Sequence, residues 1–120
     1  MARDHRKLKV FNLADALVLK VYAETATFPP EERFGLCNQI RRAAVSVPTN
    51  IVEGCARRTT RDYLHFINVS TGSAAETLYL IDLSCRLNFL QHALVAEFEL
   101  NYSTLLKQLQ SLHNSLESSR

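Results

Sequence analysis

The sequence predicts an all-α protein, a single antiparallel up-down four-helix bundle that spans residues 1–120. Apolar residues recur three or four positions apart in four separate segments, the spacing that places them on one face of a helix. Three glycines and three prolines among 120 residues are fewer than a fold with many tight turns would use. The connections between the four segments are short, which favours antiparallel neighbours.

The first helix is predicted from about Leu13 to Thr27. Asn12 precedes it as a helix cap, and Asp15 follows three residues later in the pattern of a capping box. Residues 1–10 are predicted to form a basic, flexible N-terminal arm. Pro29 and Pro30 end the helix, because a residue before proline is pushed out of the helical region.

The second helix is predicted to start at Pro30 and to continue to Cys55. Its apolar stripe passes Pro48 without losing phase, so one helix that is kinked at Pro48 is preferred to two helices with a break. The proline removes one backbone hydrogen bond, which produces the kink. The residues of the stripe are Phe34, Cys37, Ile40, Ala44, Val47, Ile51 and Cys55.

Two longer helices complete the prediction. Thr59 with Asp62 gives a capping pattern, and an apolar stripe runs from there to about Leu90. The small residues from Ser70 to Glu76 lie inside this stripe, which indicates close packing against a neighbouring helix rather than a loop. The last helix is predicted from about Ala93 to Ser118.

Several kinds of chemistry find no support in the sequence. It has neither a glycine-rich phosphate loop nor a Gly-x-Ser-x-Gly elbow, and its histidines lack metal-ligand spacing, so no catalytic residue, metal or cofactor is predicted. No apolar run reaches membrane-spanning length, and the N-terminus lacks the features of a secretory signal, which gives the cytoplasm as the expected compartment. The three cysteines are predicted to be buried thiols: Cys37, Cys55 and Cys85.

Positive charge is concentrated in one part of the chain. Residues 36–61 contain five arginines and a single acid, a net charge of +4. Paired arginines can hold phosphates through two parallel hydrogen bonds, which indicates RNA or DNA as a partner. A solvated or salt-bridged face is the alternative, and no aromatic residues interleave with these arginines to stack on bases. The candidate nucleic-acid-binding residues are Arg41, Arg42, Arg57, Arg58 and Arg61.

Polar residues follow the proline of the second helix. Asn50 and Glu53 are three apart and share a face, beside basic residues. They are interpreted first as a local capping box that repairs the kink, and second as a fixed polar site. Together with Pro48 and Gly54 they form a structural motif.

The stretch "FPPEERFGLCNQIRRAAVSVPTNIVEGCARR", followed by "YLHFINVSTGSAAET", resembles the four-helix-bundle proteins encoded by intervening sequences in bacterial 23S ribosomal RNA genes. The shared elements run in order from Phe28 to Glu76, with Val52 standing where the family usually has alanine. The resemblance implies an intracellular bacterial protein that assembles into a homopentamer, and no enzymatic activity follows from it. The family is also similar to the accessory protein of diversity-generating retroelements, which binds nucleic acid and works with a reverse transcriptase.

Two functional hypotheses follow. The first is a non-catalytic homo-oligomer that binds RNA or DNA through its arginine-rich surface, and the alternative is an oligomeric protein–protein adaptor without direct nucleic-acid binding. An enzyme is the least favoured class. Apolar residues outside the main stripes are predicted to form an intersubunit face. They are Leu36, Leu80, Leu83, Leu87 and Leu90.

Overall fold

The structure is a computed structural model that describes residues 3–119, and it confirms the all-α prediction. Two single 3₁₀ turns, His5–Lys7 and Pro30–Glu32, precede the first and second α-helices. No helix among residues 3–119 is long and apolar enough to cross a membrane. Residues 1 and 2 of the predicted arm, and Arg120 of the tail, lie outside the described residues. The α-helices are α1 (Lys9–Thr25), α2 (Leu36–Cys55), α3 (Thr60–Arg86) and α4 (His92–Ser118).

The order of contacts indicates that neighbouring helices run antiparallel. The end of α2 meets the start of α3, where Cys55 Sγ lies 3.6 Å from Tyr63 Oη. Further back along α2, the Ser70 hydroxyl of α3 donates to the Val47 carbonyl at 2.8 Å. The end of α3 meets the start of α4, and α1 pairs with α4 through Lys20 and Glu97. The result is an elongated bundle of 46 × 24 × 19 Å in which α2 and α3 form the most extensive helix pair.

One apolar core runs along the bundle between the four helices. Each helix contributes side chains at three-four spacing, as the sequence predicts. All three cysteines are buried free thiols, which confirms that prediction. The largest fully buried side chains are Tyr63, Tyr102, Phe98, Ile40, Ile51, Ile67, Ile81, Leu105 and Leu109.

The first helix starts four residues earlier than predicted. Asn12 lies inside α1 and its side-chain amide donates to the Arg6 carbonyl at 3.2 Å, so the predicted Asn12 cap with Asp15 is wrong. The N-cap of α1 is Leu8, whose side chain makes no capping hydrogen bond. Burial explains the difference, because Val10 is in phase with the core face of α1 and extends the helix towards the N-terminus.

The second helix starts later than predicted. Phe34, which the sequence analysis places in the apolar stripe, is 87% exposed in the connection before α2. The Pro30–Glu32 turn and the irregular backbone at Gly35 separate Phe34 from the helix, so that Leu36 becomes the first buried residue. From there the helix is continuous through Pro48, and every other member of the predicted stripe is buried. The kink at Pro48 stays a prediction.

Side chains supply hydrogen bonds around the proline. The carbonyl of Val45 accepts from the Thr49 hydroxyl at 2.8 Å, and the carbonyl of Ser46 accepts from the Asn50 amide at 2.7 Å. The Val47 carbonyl accepts from Ser70 on α3. The carbonyl that Pro48 leaves without a backbone donor is that of Ala44, so these bonds reinforce the carbonyls that follow it and do not replace the missing partner.

The third helix confirms its predicted start and its small-residue contact. The Thr59 hydroxyl accepts from the Asp62 N–H at 3.1 Å, as the capping pattern requires. Ser70 and Ser73 are buried against α2, where the Ser73 and Ser46 hydroxyls are 2.8 Å apart. The helix ends at Arg86, four residues before the predicted end, because Asn88 adopts a left-handed backbone with φ 66°.

Two helical glycines are expected to respond oppositely to alanine. A Cβ at Gly54 would lie 2.9 Å from Tyr63 Cδ1 and 3.2 Å from Phe66 Cβ, whereas a Cβ at Gly72 would meet nothing within 4 Å. Overpacking costs about 1–3 kcal/mol, against a gain of about 1 kcal/mol in helix propensity. Gly54→Ala should therefore destabilise the protein by about 1 kcal/mol and Gly72→Ala should stabilise it by about 0.5–1 kcal/mol. Urea denaturation at one protein concentration measures both, and equal effects of the two substitutions would contradict the close contact at Gly54.

Candidate nucleic-acid interface

The N-terminal segment and the link between α2 and α3 meet at the same end of the bundle. The Arg3 N–H donates to the Cys55 carbonyl at 3.0 Å, and the Arg3 guanidinium lies 4.4 Å from the centroid of the Tyr63 ring. The residues before α1 are held against the last turn of α2 by these two contacts. We call this end, with its seven basic residues, the basic end: Arg3, Arg6, Lys7, Lys9, Arg57, Arg58 and Arg61.

The charge of the chain is unevenly distributed. Four acids lie near the seven bases of the basic end, namely Asp4, Glu53, Asp62 and Glu117. Seven bases against four acids give this end a net charge of +3, which exceeds the +2 of the whole chain. The rest of the bundle is therefore slightly acidic, and an anionic polymer would be attracted to one end.

The three arginines of the α2–α3 link have different surroundings. Arg57 pairs with Glu53 at 2.9 Å and its guanidinium lies 4.5 Å from the Phe66 ring centroid, so its charge already has a partner within the bundle. Arg58 and Arg61 are exposed and make no hydrogen bond or ion pair with any of residues 3–119. All five guanidinium N–H donors of each are available for a phosphate.

Arg41 and Arg42 lie elsewhere. Arg41 is fourteen residues before Cys55 along α2, which is about 21 Å. Its Nε donates to the Thr25 hydroxyl at 2.9 Å and its Nη2 donates to the Tyr22 carbonyl at 3.2 Å, so it caps the end of α1. Arg42 is exposed beside it. The predicted set of five arginines is thus divided between two places, and only Arg57, Arg58 and Arg61 come together.

Asn50 and Glu53 do not form a capping box. The Asn50 amide bonds to the Ser46 carbonyl and hydroxyl, at 2.7 and 2.9 Å, one turn back along a helix that never restarts. Glu53 is directed towards Arg57 instead. The two side chains have different partners, so they do not form a single polar site. Gly54, the fourth member of the predicted motif, provides the close contact between α2 and α3.

Tyr63 supports the basic end from below. Its ring is 2% exposed and contacts both Arg3 and the backbone of Gly54. Burial, together with the contact to the Cys55 thiol, raises the pKa of the Tyr63 hydroxyl well above its usual value. The tyrosine is therefore uncharged. It packs against Arg3 without neutralising the positive charge of the guanidinium.

Sequence reasoning missed two features of this surface. Arg3 was assigned to a flexible arm, although its backbone and side chain both contact the bundle. Aromatic rings do accompany the arginines, but they come from distant positions: Tyr63 beside Arg3, and Phe66 beside Arg57. The only sequence signal for the contribution of Arg3 was the basic character of the first ten residues. Among residues 3–119, no three His, Cys, Asp or Glu side chains come close enough to hold a metal ion.

The sequence matches the family model described as 23S rRNA-intervening sequence protein over residues 6–111. The chain belongs to this family. The match includes all of α1, α2 and α3 and most of α4, and it confirms the family resemblance seen in the sequence.

A solved structure supports the fold of this family member. It is the crystal structure of a protein of unknown function from the S23 ribosomal protein family of Bacteroides thetaiotaomicron VPI-5482. The two structures superpose with a TM-score of 0.80, over 88% of this chain and 95% of that one, at 19% sequence identity. At this identity the likeness shows the fold alone. No curated protein matched the sequence.

Proposed function

We propose that this family member is a non-catalytic homo-oligomer that binds RNA or DNA phosphates through its basic end. The observation that supports it is the convergence of Arg3, Arg58 and Arg61 on one end, two of them exposed and without a partner among residues 3–119. Arginines that are already held by carboxylates gain little from a phosphate, whereas free ones release counterions when they bind it.

The expected mode of binding is sequence-independent. The basic end presents guanidinium groups on the N-terminal segment, the α2–α3 link and the first turn of α3. Contacts of this kind go to the phosphate backbone, so affinity should depend steeply on salt and weakly on sequence. Several copies of the basic end in one oligomer would multiply the affinity of each.

Exposed apolar side chains support self-association, although they are not the predicted ones. Of the five leucines predicted for an intersubunit face, only Leu87 is exposed, while Leu83 is half-buried against the core. Leu36, Leu80 and Leu90 are buried, because the bundle needs a wider apolar face on its helices than a single stripe. Leu19 on α1 and Leu100 on α4 are each 69% exposed, near the Lys20–Glu97 pair that joins the two helices.

Light scattering combined with a nucleic-acid titration tests the proposal. The full chain is expected to give the mass of an oligomer in the absence of RNA, and to bind a single-stranded RNA of mixed sequence at about 50 mM salt. Affinity should fall as a straight line in log–log form as the salt rises to about 200 mM. An absence of RNA and DNA binding at the lowest salt would refute the proposal, and a monomeric mass would refute its oligomeric part.

The second candidate function is an oligomeric protein–protein adaptor. The exposed Leu19, Leu100 and Tyr79 favour it, because large apolar side chains in water are typical of contact surfaces. Its complexes in cell extracts should survive nuclease treatment, whereas complexes held together by nucleic acid should dissociate. Nuclease-resistant partners found together with a flat salt dependence would favour the adaptor.

A further inference from the structure

A cleft lies at the opposite end of the bundle from the basic end, between the α1–α2 connection and the start of α2. Its volume is about 370 Å³, within the range of small-ligand sites. Two arginines, Arg33 and Arg41, line it, and no acidic residue does. Its floor is apolar and includes Phe28 and Cys37, both buried.

The two arginines retain donors for a ligand. Arg41 uses its Nε and one Nη2 hydrogen to bond Thr25 and Tyr22, which fixes the guanidinium in place. Its remaining three N–H donors are not used by these bonds. Arg33 makes no hydrogen bond or ion pair within residues 3–119. The cleft is therefore lined by one fixed and one free guanidinium, each with N–H donors that a phosphate can accept from.

Each arginine also lies beside an exposed aromatic ring. The Arg33 guanidinium is 5.4 Å from the centroid of Phe34, and that of Arg41 is 4.5 Å from the centroid of Tyr22. Phe34 is 87% exposed, so the arginine leaves much of its surface open. A nucleobase stacks on an exposed aromatic ring or on a guanidinium plane with about 1–3 kcal/mol per base.

The geometry points to a second nucleic-acid contact in this cleft, which takes one nucleotide of a single strand. Its phosphate would bind Arg33 and Arg41, and its base would stack on Phe34, which lies beside Arg33 and outside the residues that line the cleft. The inference rests on the proposed function and adds to it a preference for single strands, since bases in a duplex cannot reach Phe34. A free nucleotide has the same chemistry and is distinguished by experiment.

Nearby acids limit the strength of the site without occupying it. Glu32 accepts a hydrogen bond from the Leu36 N–H at 3.1 Å, which directs its carboxylate to the start of α2. Glu31 is exposed on the same connection, and Glu24 lines a separate depression with the α3–α4 connection. The guanidinium groups therefore remain the charged groups that face the cleft itself.

The test compares a short oligoadenylate, an RNA duplex of equal phosphate number and AMP as probes of the full chain. Phe34→Ala should weaken oligoadenylate binding about tenfold, the lower part of the range for one stacked base, and leave duplex binding and the salt slope unchanged. Arg33→Ala should weaken the binding of both oligoadenylate and the duplex. It should also lower the slope of log affinity against log salt by about one. Val69→Ala, which also removes an exposed apolar side chain and lies outside the surfaces proposed for binding and self-association, is the matched control and should change nothing.

The outcomes separate this inference from the proposed function. If Phe34→Ala and Val69→Ala bind oligoadenylate with equal affinity, the cleft contact is overturned, and the basic end still stands if Arg58→Glu weakens binding. The reverse result, with loss only in Phe34→Ala, supports the cleft and rejects the basic end. A third outcome is that AMP shifts the NMR signals of Phe34 and Tyr22 while oligoadenylate binding does not depend on Phe34. The cleft would then bind a free nucleotide, and the contact with a nucleic-acid strand would be overturned.

Discussion

Replacing Arg58 and Arg61 together with glutamate is expected to lower the affinity for single-stranded RNA about 100-fold at low salt. The estimate takes about 1.5 kcal/mol for each charge-assisted contact that is lost. The slope of log affinity against log salt should also fall by about two, because two fewer counterions are released. Fluorescence anisotropy with a labelled RNA across a salt series measures both quantities.

The fold should tolerate this change. Both arginines are exposed and have no partner among residues 3–119, so glutamate at either position leaves no buried group unpaired. Lys107→Glu reverses an exposed charge in the middle of α4 and is the control for a general loss of positive charge. An equal loss of affinity in Lys107→Glu would show that net charge, rather than the basic end, governs binding. Unchanged affinity in the double variant would reject the basic end as the interface.

The bundle could be predicted from the sequence because its helices follow local rules. Thr59 caps α3 by a bond that depends only on a hydroxyl three residues before an N–H, and the residues from Ile40 to Cys55 keep one phase across Pro48. The predictions that were wrong concern positions where a local sequence pattern competes with burial or with a turn. Asn12 has the chemistry of a cap, but burial of Val10 extends the helix beyond it. Phe34 has the spacing of a core residue, but the 3₁₀ turn before Gly35 displaces it into solvent.

The candidate interface was predictable only in part, for a related reason. Arg57, Arg58 and Arg61 are neighbours in the sequence, so their grouping survives any fold that keeps the α2–α3 link short. Arg3 joins them through a contact with residues more than fifty positions away, which no local pattern encodes. Arg41 looks identical to them in sequence, yet its donors are directed to the end of α1 by the antiparallel packing of α1 and α2.

Tyr63 connects the stability of the bundle to the shape of the basic end. It is 2% exposed, it packs on the Gly54 backbone, and its ring carries the Arg3 guanidinium. Its neighbours therefore include Gly54 of α2 and Arg3 of the N-terminal segment. A substitution here should affect folding and binding together, whereas substitutions of Arg58 and Arg61 should affect binding alone.

Tyr63→Ala is expected to destabilise the protein by about 3–5 kcal/mol, the range for removal of a buried aromatic ring. The cavity cannot close easily, because α2 and α3 already approach closely at Gly54 and the ring fills the space beside it. Urea denaturation followed by circular dichroism measures the loss. RNA affinity of the remaining folded protein should also fall severalfold, since Arg3 loses the ring that positions it.

Tyr63→Phe separates the ring from its hydroxyl. It removes only the 3.6 Å contact with the Cys55 sulfur, a weak partner, and should cost less than about 1 kcal/mol with RNA affinity unchanged. Arg3→Ala makes the complementary change, because it keeps the core and removes the charge. If the Tyr63→Phe protein lost as much stability as the Tyr63→Ala protein, the hydroxyl rather than the ring would hold α2 and α3 together. If RNA affinity fell in Arg3→Ala but not in folded Tyr63→Ala, the guanidinium would not need the ring to reach a phosphate.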